Sequence, residues 1–452
     1  MKKNQLWKRL SAGLLAGAML LGLTACGGGA NDPAPTQSGA PAPTAPASGT
    51  PAPTAPAAPE GYSTNYKGKT TYADIAEQLR ADQTLDLSGL DSQMFKITGY
   101  AQGYNFDDAW FGSLAQMVNS GCQVVLASGS AQFAFNFGGL PREAGETEIR
   151  VGGVDSLTQE FADLLSGGVY NFCSGSYPSM IAPAVALTLR ALEGGKLVDG
   201  DGNAAAVNMS HLVANSPEEL EEIMTEDASG SYALGAGAVS AMMGADYSAF
   251  EGMVSNAGWD QIKDLKSQYA SADVTPLSKS YKIGILRNDV TSDEALAYEA
   301  YLNELAQAMG FTVTFSESTD GNATNEVNQI QTWAAAGFDA VITLSSGSFY
   351  DQATTCDSNN MPLCIFAFHP EEDDLLDLNT LDSYLGAVGP AKYNEGEVGY
   401  RMAKYYIEQG STDFSIFGGS IMFGAEQHAY RVGGMIAAMI EAETGVPCPD
   451  FS

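Results

Sequence analysis

The chain has 452 residues, enough for two core-bearing lobes, and carries 54 acidic against 21 basic residues for a formal charge of −33. That balance excludes a surface made to hold nucleic acid or an anionic membrane face, and it suits a soluble exported body. Only His211, His369 and His428 are present. No His-Glu-x-x-His, Gly-x-Ser-x-Gly or P-loop lysine motif occurs, so no metal, cofactor or catalytic assignment is made.

Residues 1–26 open with Lys2, Lys3, Lys8 and Arg9, continue through an apolar run at 10–23, and end Leu23-Thr24-Ala25-Cys26. The apolar run is too short for a comfortable membrane span. This layout resembles a bacterial lipoprotein signal. The resemblance implies that Cys26 becomes a lipid-modified N-terminus and that the body sits on the outer face of a cell membrane. Residues 27–62 are rich in Pro, Ala and Thr, with Pro-Ala-Pro-Thr at 33–36, 41–44 and 51–54. Nothing apolar is there to offset ordering entropy, so the segment reads as a tether. Five further cysteines, at 122, 173, 356, 364 and 448, show no Cys-x-x-Cys spacing and read as buried free thiols, with a bridge between Cys356 and Cys364 left open.

In residues 63–275 the spacing predicts helices at 72–81, 107–120, 156–165 and 183–192, and strands at 95–100, 122–127, 148–151 and 169–173. Further on it predicts a strand over 207–213, a helix from Pro217 capped by Ser216, and helices at 238–243 and 260–269. In residues 276–452 the alternation is plainer. Tyr298, Tyr301, Leu302, Leu305 and Met309 share one helical face, and Gly310 stands where a glycine ends a helix. Strands are expected at 281–288, 311–315, 338–344, 363–368, 384–388 and 414–417, with helices at 350–357, 395–409 and 427–443. The acidic run 371–377 reads as a solvated loop, because it lacks the glycine and bidentate glutamate of a calcium loop. The fold class is therefore α/β: two lobes, each a parallel sheet flanked by helices in the Rossmann manner, with ligands beyond the carboxyl ends of the strands.

Several motifs carry a family likeness: the strand at 282–286 with Asn288, Ala-Gly-Phe-Asp-Ala-Val-Ile at 336–342, the strand that follows Pro362, Asn394-Glu-Gly-Glu-Val-Gly, and Arg431-Val-Gly-Gly. Residues 281–443 resemble the first half or more of a type I periplasmic binding protein, the sugar-binding class of ABC-transporter receptors. The part that the family places next is found instead at the front of this chain. It comprises Val124-Val-Leu-Ala-Ser, Val-Gly-Gly-Val-Asp at 151–155, the glycines at 167–168 and the helix up to Gly195. The chain thus reads as a circularly permuted receptor, with tandem incomplete domains or a truncated product as the other readings. In the permuted reading 281–370 with part of 196–275 forms lobe one, and 384–443 with about 95–195 forms lobe two.

The resemblance implies a ligand set of Asn288, Asp289, Ser345, Ser346, Phe368, His369, Asn394, Arg431, Ser128 and Asp155. Asp155 and Arg431 match residue types that hold sugar hydroxyls in the family. Asp155 and Ser345-Ser346 read equally as helix caps, and Arg431 as a surface ion pair. Ala367-Phe368-His369 stands where the family often has Asp-Arg, which weakens the sugar assignment, while Phe368, Tyr350, Tyr177 and Trp110 could offer flat apolar faces. The expected function is capture of a small polar solute by a monomeric lipid-anchored receptor for an ABC permease. A sensor passing its signal to a membrane partner and a secreted enzyme are the alternatives.

Overall fold

The computed structural model describes residues 64–102, 108–366, 370, 372–418, 427–448 and 451. The leader, Cys26, the tether, Phe368 and His369 lie outside the described residues.

In chain order the elements begin β1 (Asn65–Tyr66), α1 (Tyr72–Asp82), β2 (Leu90–Asp91), β3 (Lys96–Gln102), α2 (Asp108–Val118), β4 (Val124–Ala127) and α3 (Gln132–Asn136). Next come β5 (Arg150–Ser156), α4 (Gln159–Gly167), β6 (Tyr170–Ser176), α5 (Ala182–Leu192), β7 (Ala205–Asn208) and β8 (Leu212–Ala214). Four helices follow: α6 (Pro217–Glu226), α7 (Ala236–Gly244), α8 (Tyr247–Val254) and α9 (Trp259–Tyr269). The remainder alternates β9 (Lys282–Arg287), α10 (Asp293–Met309), β10 (Thr312–Phe315), α11 (Ala323–Ala335), β11 (Ala340–Leu344) and α12 (Phe349–Ser358). It closes with β12 (Leu363–Phe366), α13 (Glu372–Leu378), β13 (Tyr384–Gly389), α14 (Lys392–Glu408), β14 (Asp413–Gly418) and α15 (Gln427–Thr444).

The fold is α/β, as the alternation led us to expect, with two mostly parallel six-stranded sheets flanked by helices. The first sheet runs β10-β9-β11-β12-β13-β7 and the second β3-β14-β4-β5-β6-β8. Every pairing in them is parallel except β6 with β8. Count the strands from β9 to the C-terminus and continue at β3. Both sheets then read second, first, third, fourth, fifth, with one late strand at the edge. Strand β14 lies between β3 and β4, so the front and back of the chain share one sheet and are not separate bodies.

Local chemistry explains the elements. Ser292 caps α10 by accepting the Ala295 N–H at 3.1 Å, and Gly310 ends it at φ +84°, a conformation only glycine adopts without strain. The stripe Tyr298, Tyr301, Leu302, Leu305 and Met309 is buried, as its spacing requires. Helices α14 and α15 cross at glycines: a Cβ on Gly434 would collide with the Gly396 carbonyl, and one on Gly399 with the Arg431 carbonyl.

Several expectations need correcting. The run 207–213 is not one strand. It is two, and β7 joins the first sheet while β8 joins the second. Strand β5 continues through Gly152-Gly153 to Ser156, and Thr158, not Asp155, stands at the start of α4. Ser348, rather than Ser345 or Ser346, caps α12. The acidic run folds as α13. Strand β13 belongs to the first sheet, and α5 packs on β11, β12 and β13, so both belong to lobe one. The cysteines at 122, 173, 356, 364 and 448 are all buried, and Cys356 and Cys364 are not bridged to each other.

Candidate functional site

The chain passes between the two sheets at four places: β6 to α5, β7 to β8, α6 to α7, and β13 to α14. Two of them are tied together at a buried polar cluster. Asn394, in the first turn of α14, accepts the Ala391 N–H at 3.1 Å and donates to Asn256 Oδ1 at 2.7 Å and Ser210 Oγ at 3.1 Å. Beside it Glu395 Oε2 accepts Arg431 Nε at 2.5 Å and lies 3.3 Å from His211 Nε2. Arg431 Nη1 donates to the Ser128 carbonyl at 2.7 Å, and His428 Nδ1 lies 3.0 Å from both Ser128 oxygens. The β7–β8 crossing, the β13–α14 crossing and the end of β4 are thereby held to one another.

Charge placement in this cluster is strong. Burial would raise the pKa of Glu395, but Arg431 and then His211 outweigh it and hold the carboxyl at about 2. Burial first, and Arg431 second, push His428 down to about 3, so its imidazole is neutral. Ser128 is fully buried. The Ser128–His428 pair therefore has neither the exposure nor the basicity of a nucleophile and its base.

The other two crossings meet at Asp227. Its carboxylate accepts the Ser179 N–H at 2.8 Å and the Ala233 N–H at 2.7 Å, and Ser179 Oγ accepts the Leu234 N–H at 3.1 Å. Burial is the main influence on Asp227 and raises its pKa. Nearby, buried Tyr298 of α10 donates its hydroxyl to Glu294 Oε1 at 3.1 Å, close enough to Ser176 at the end of β6 to be influenced by it. The carboxyl ends of the two sheets thus approach each other around these clasps.

The expected ligand residues divide accordingly. Arg431, Asn394 and Ser128 lie together, and each is engaged with protein partners in the clasp. Ser345 is also buried: its hydroxyl donates to Glu326, whose carboxylate further accepts the Gly347 N–H at 2.9 Å and Gln352 Nε2 at 2.7 Å. Asp289 is exposed, and its Oδ1 accepts the Thr291 and Ser292 N–H groups at 3.0 and 3.2 Å. Asn288 is exposed and Ser346 half-buried, and among the described residues neither side chain has a hydrogen-bond partner. Asp155 has its backbone in β5, opposite Gly175 of β6.

Sequence reasoning missed Glu395, Asp227 and Glu326. Glu395 stands next to Asn394 inside a motif that drew notice, and that adjacency was the available signal. Asp227 and Glu326 look like ordinary acidic surface residues on their helices. Comparison with family models finds no match for this chain, and comparison with curated proteins finds none either.

Proposed function

We propose that the protein is a lipid-anchored, extracytoplasmic solute-binding protein of circularly permuted type I periplasmic-binding-protein architecture. It captures a small polar molecule between its two lobes and presents it to an ABC permease. The observation that carries this reading is the shared strand order of the two sheets when the chain is read from β9 and wrapped to β3. Two copies of one sheet, joined by clasped crossings at their carboxyl ends, make a cleft suited to closing on a solute. The burial of Ser128 and the low basicity of His428 favour binding over chemistry.

The test is a thermal-shift screen of the full chain against sugars, nucleosides, amino acids and other metabolites. A bound solute raises the melting temperature by mass action. The reading requires at least one class to do so; a flat response across the screen, or turnover of a compound, would count against it.

A further inference from the structure

The carboxyl edge of the second sheet carries five aromatic rings in mutual contact. Trp110 lies 5.2 Å from Phe111, 5.5 Å from Phe133, 6.1 Å from Phe417 and 6.3 Å from Phe137, between ring centroids. Phe133 and Phe137 stack at 5.9 Å with their planes 22° apart. The rings come from the ends of three adjacent strands. Phe417 is in β14, Trp110 and Phe111 are near the start of α2 after β3, and Phe133 and Phe137 lie in and just after α3 following β4. Trp110 and Phe417 are buried and form a floor. Phe111 and Phe133 are half-buried, and Phe137 is 40% exposed. Phe137 therefore keeps much of its ring surface outside the core.

The second observation concerns charge. Arg431, Glu395 and Asp227 are engaged in clasps, and Glu326 is engaged in the loop at 345–348. Among the described residues, the side chains without a hydrogen-bond partner just after the neighbouring strands β9 and β11 are an amide, Asn288, and a hydroxyl, Ser346. The exposed Asp289 carboxylate and the formal charge of −33 oppose a phosphate.

We infer that this aromatic cluster is one wall of the solute site and that the solute is a neutral nucleoside. The inference rests on the receptor reading above. A base stacks on an exposed ring face whatever its sequence of donors and acceptors, while amide and hydroxyl groups suit ribose hydroxyls and base edges. A bare sugar gains most from charged partners to its vicinal hydroxyls, and among the described residues Arg431, Glu395, Asp227 and Glu326 are already engaged with protein groups.

The experiment titrates the full chain with adenosine, inosine and uridine, and separately with ribose, glucose and adenosine monophosphate, reading tryptophan fluorescence and melting temperature. Expected are binding of at least one nucleoside, weaker or no binding of ribose, glucose and the monophosphate, and a roughly tenfold loss of nucleoside affinity in Phe137→Ala. Phe137→Tyr keeps a ring and should retain affinity. An unchanged melting temperature of unliganded Phe137→Ala checks that the fold persists. Ribose or glucose binding as tightly as the nucleosides, or full affinity in Phe137→Ala, overturns the inference. If nucleosides fail while another metabolite raises the melting temperature, the inference falls and the receptor reading stands. If nothing in the wider screen binds, both fall.

Discussion

Arg431 donates its Nε–H to Glu395 at 2.5 Å inside a buried cluster, and the two residues come from different crossing helices, α15 and α14. Both side chains are about nine-tenths removed from solvent. Their separation in the chain is 36 residues, but Arg431 also reaches Ser128, 303 residues away. One guanidinium therefore joins the front and the back of the chain.

Removing one partner of this pair leaves the other charge buried without its closest counter-charge. Arg431→Met and Glu395→Gln should each destabilise the protein by about 3–5 kcal/mol in urea unfolding. The double variant should lose clearly less than the sum, since the pair is coupled. Additive losses would mean that the two residues do not act together.

Acid should loosen the clasp, and both titrating groups give the same sign. The Glu395 carboxyl is depressed to about 2 from 4.5, so its contribution is present above pH 4.5 and is lost as pH falls toward 2. The folded state holds His428 neutral down to about 3, whereas the unfolded chain takes up that proton below 6.5, so stability also falls with pH across that window. Unfolding free energies at pH 7, 5.5 and 4 should decline steadily. His428→Gln should flatten the upper part of the slope.

Asp227 satisfies two buried backbone N–H groups that link the other pair of crossings. Asp227→Ala orphans both donors and should cost about 2–5 kcal/mol. Asp227→Asn keeps one acceptor oxygen and should cost less, a ranking that thermal unfolding can read directly.

Gly434 sets the approach of α15 to α14. Gly434→Ala places a methyl group against the Gly396 carbonyl, so the helices must separate and carry Arg431 away from Glu395. The expected result is a loss of stability comparable to that of Glu395→Gln, whereas alanine at the open position Gly112 should change little.

Much of the fold was legible because it is locally written. The helical stripe at Tyr298, Tyr301 and Leu305 and the apolar strands at 340–344 and 363–366 each carry their own period. The split of 207–213 was marked only by one slip in the alternation of Val-Asn-Met-Ser-His-Leu-Val, at Ser210-His211, a signal too slight to show that the chain changes sheets there. The site was less legible still. A polar residue at a strand end looks the same whether it meets a solute or a distant partner. Ser128 follows β4, Asn394 opens α14 and Arg431 lies in the second turn of α15, and their partners come from elements far away in the chain. Among the described residues no such partner reaches the side chains of Asn288 and Ser346.

The central claim is a cleft that closes on a solute, and a distance across it tests this most directly. Gln159 and Asp293 are exposed, on α4 and α10, and Asp293 is close enough to Glu160 to influence its carboxyl across the lobe boundary. Spin labels on cysteines introduced at Gln159 and Asp293 should give a broad distance distribution that narrows to its short end when a solute that raises the melting temperature is added. A single distribution, identical with and without that solute, would contradict the account.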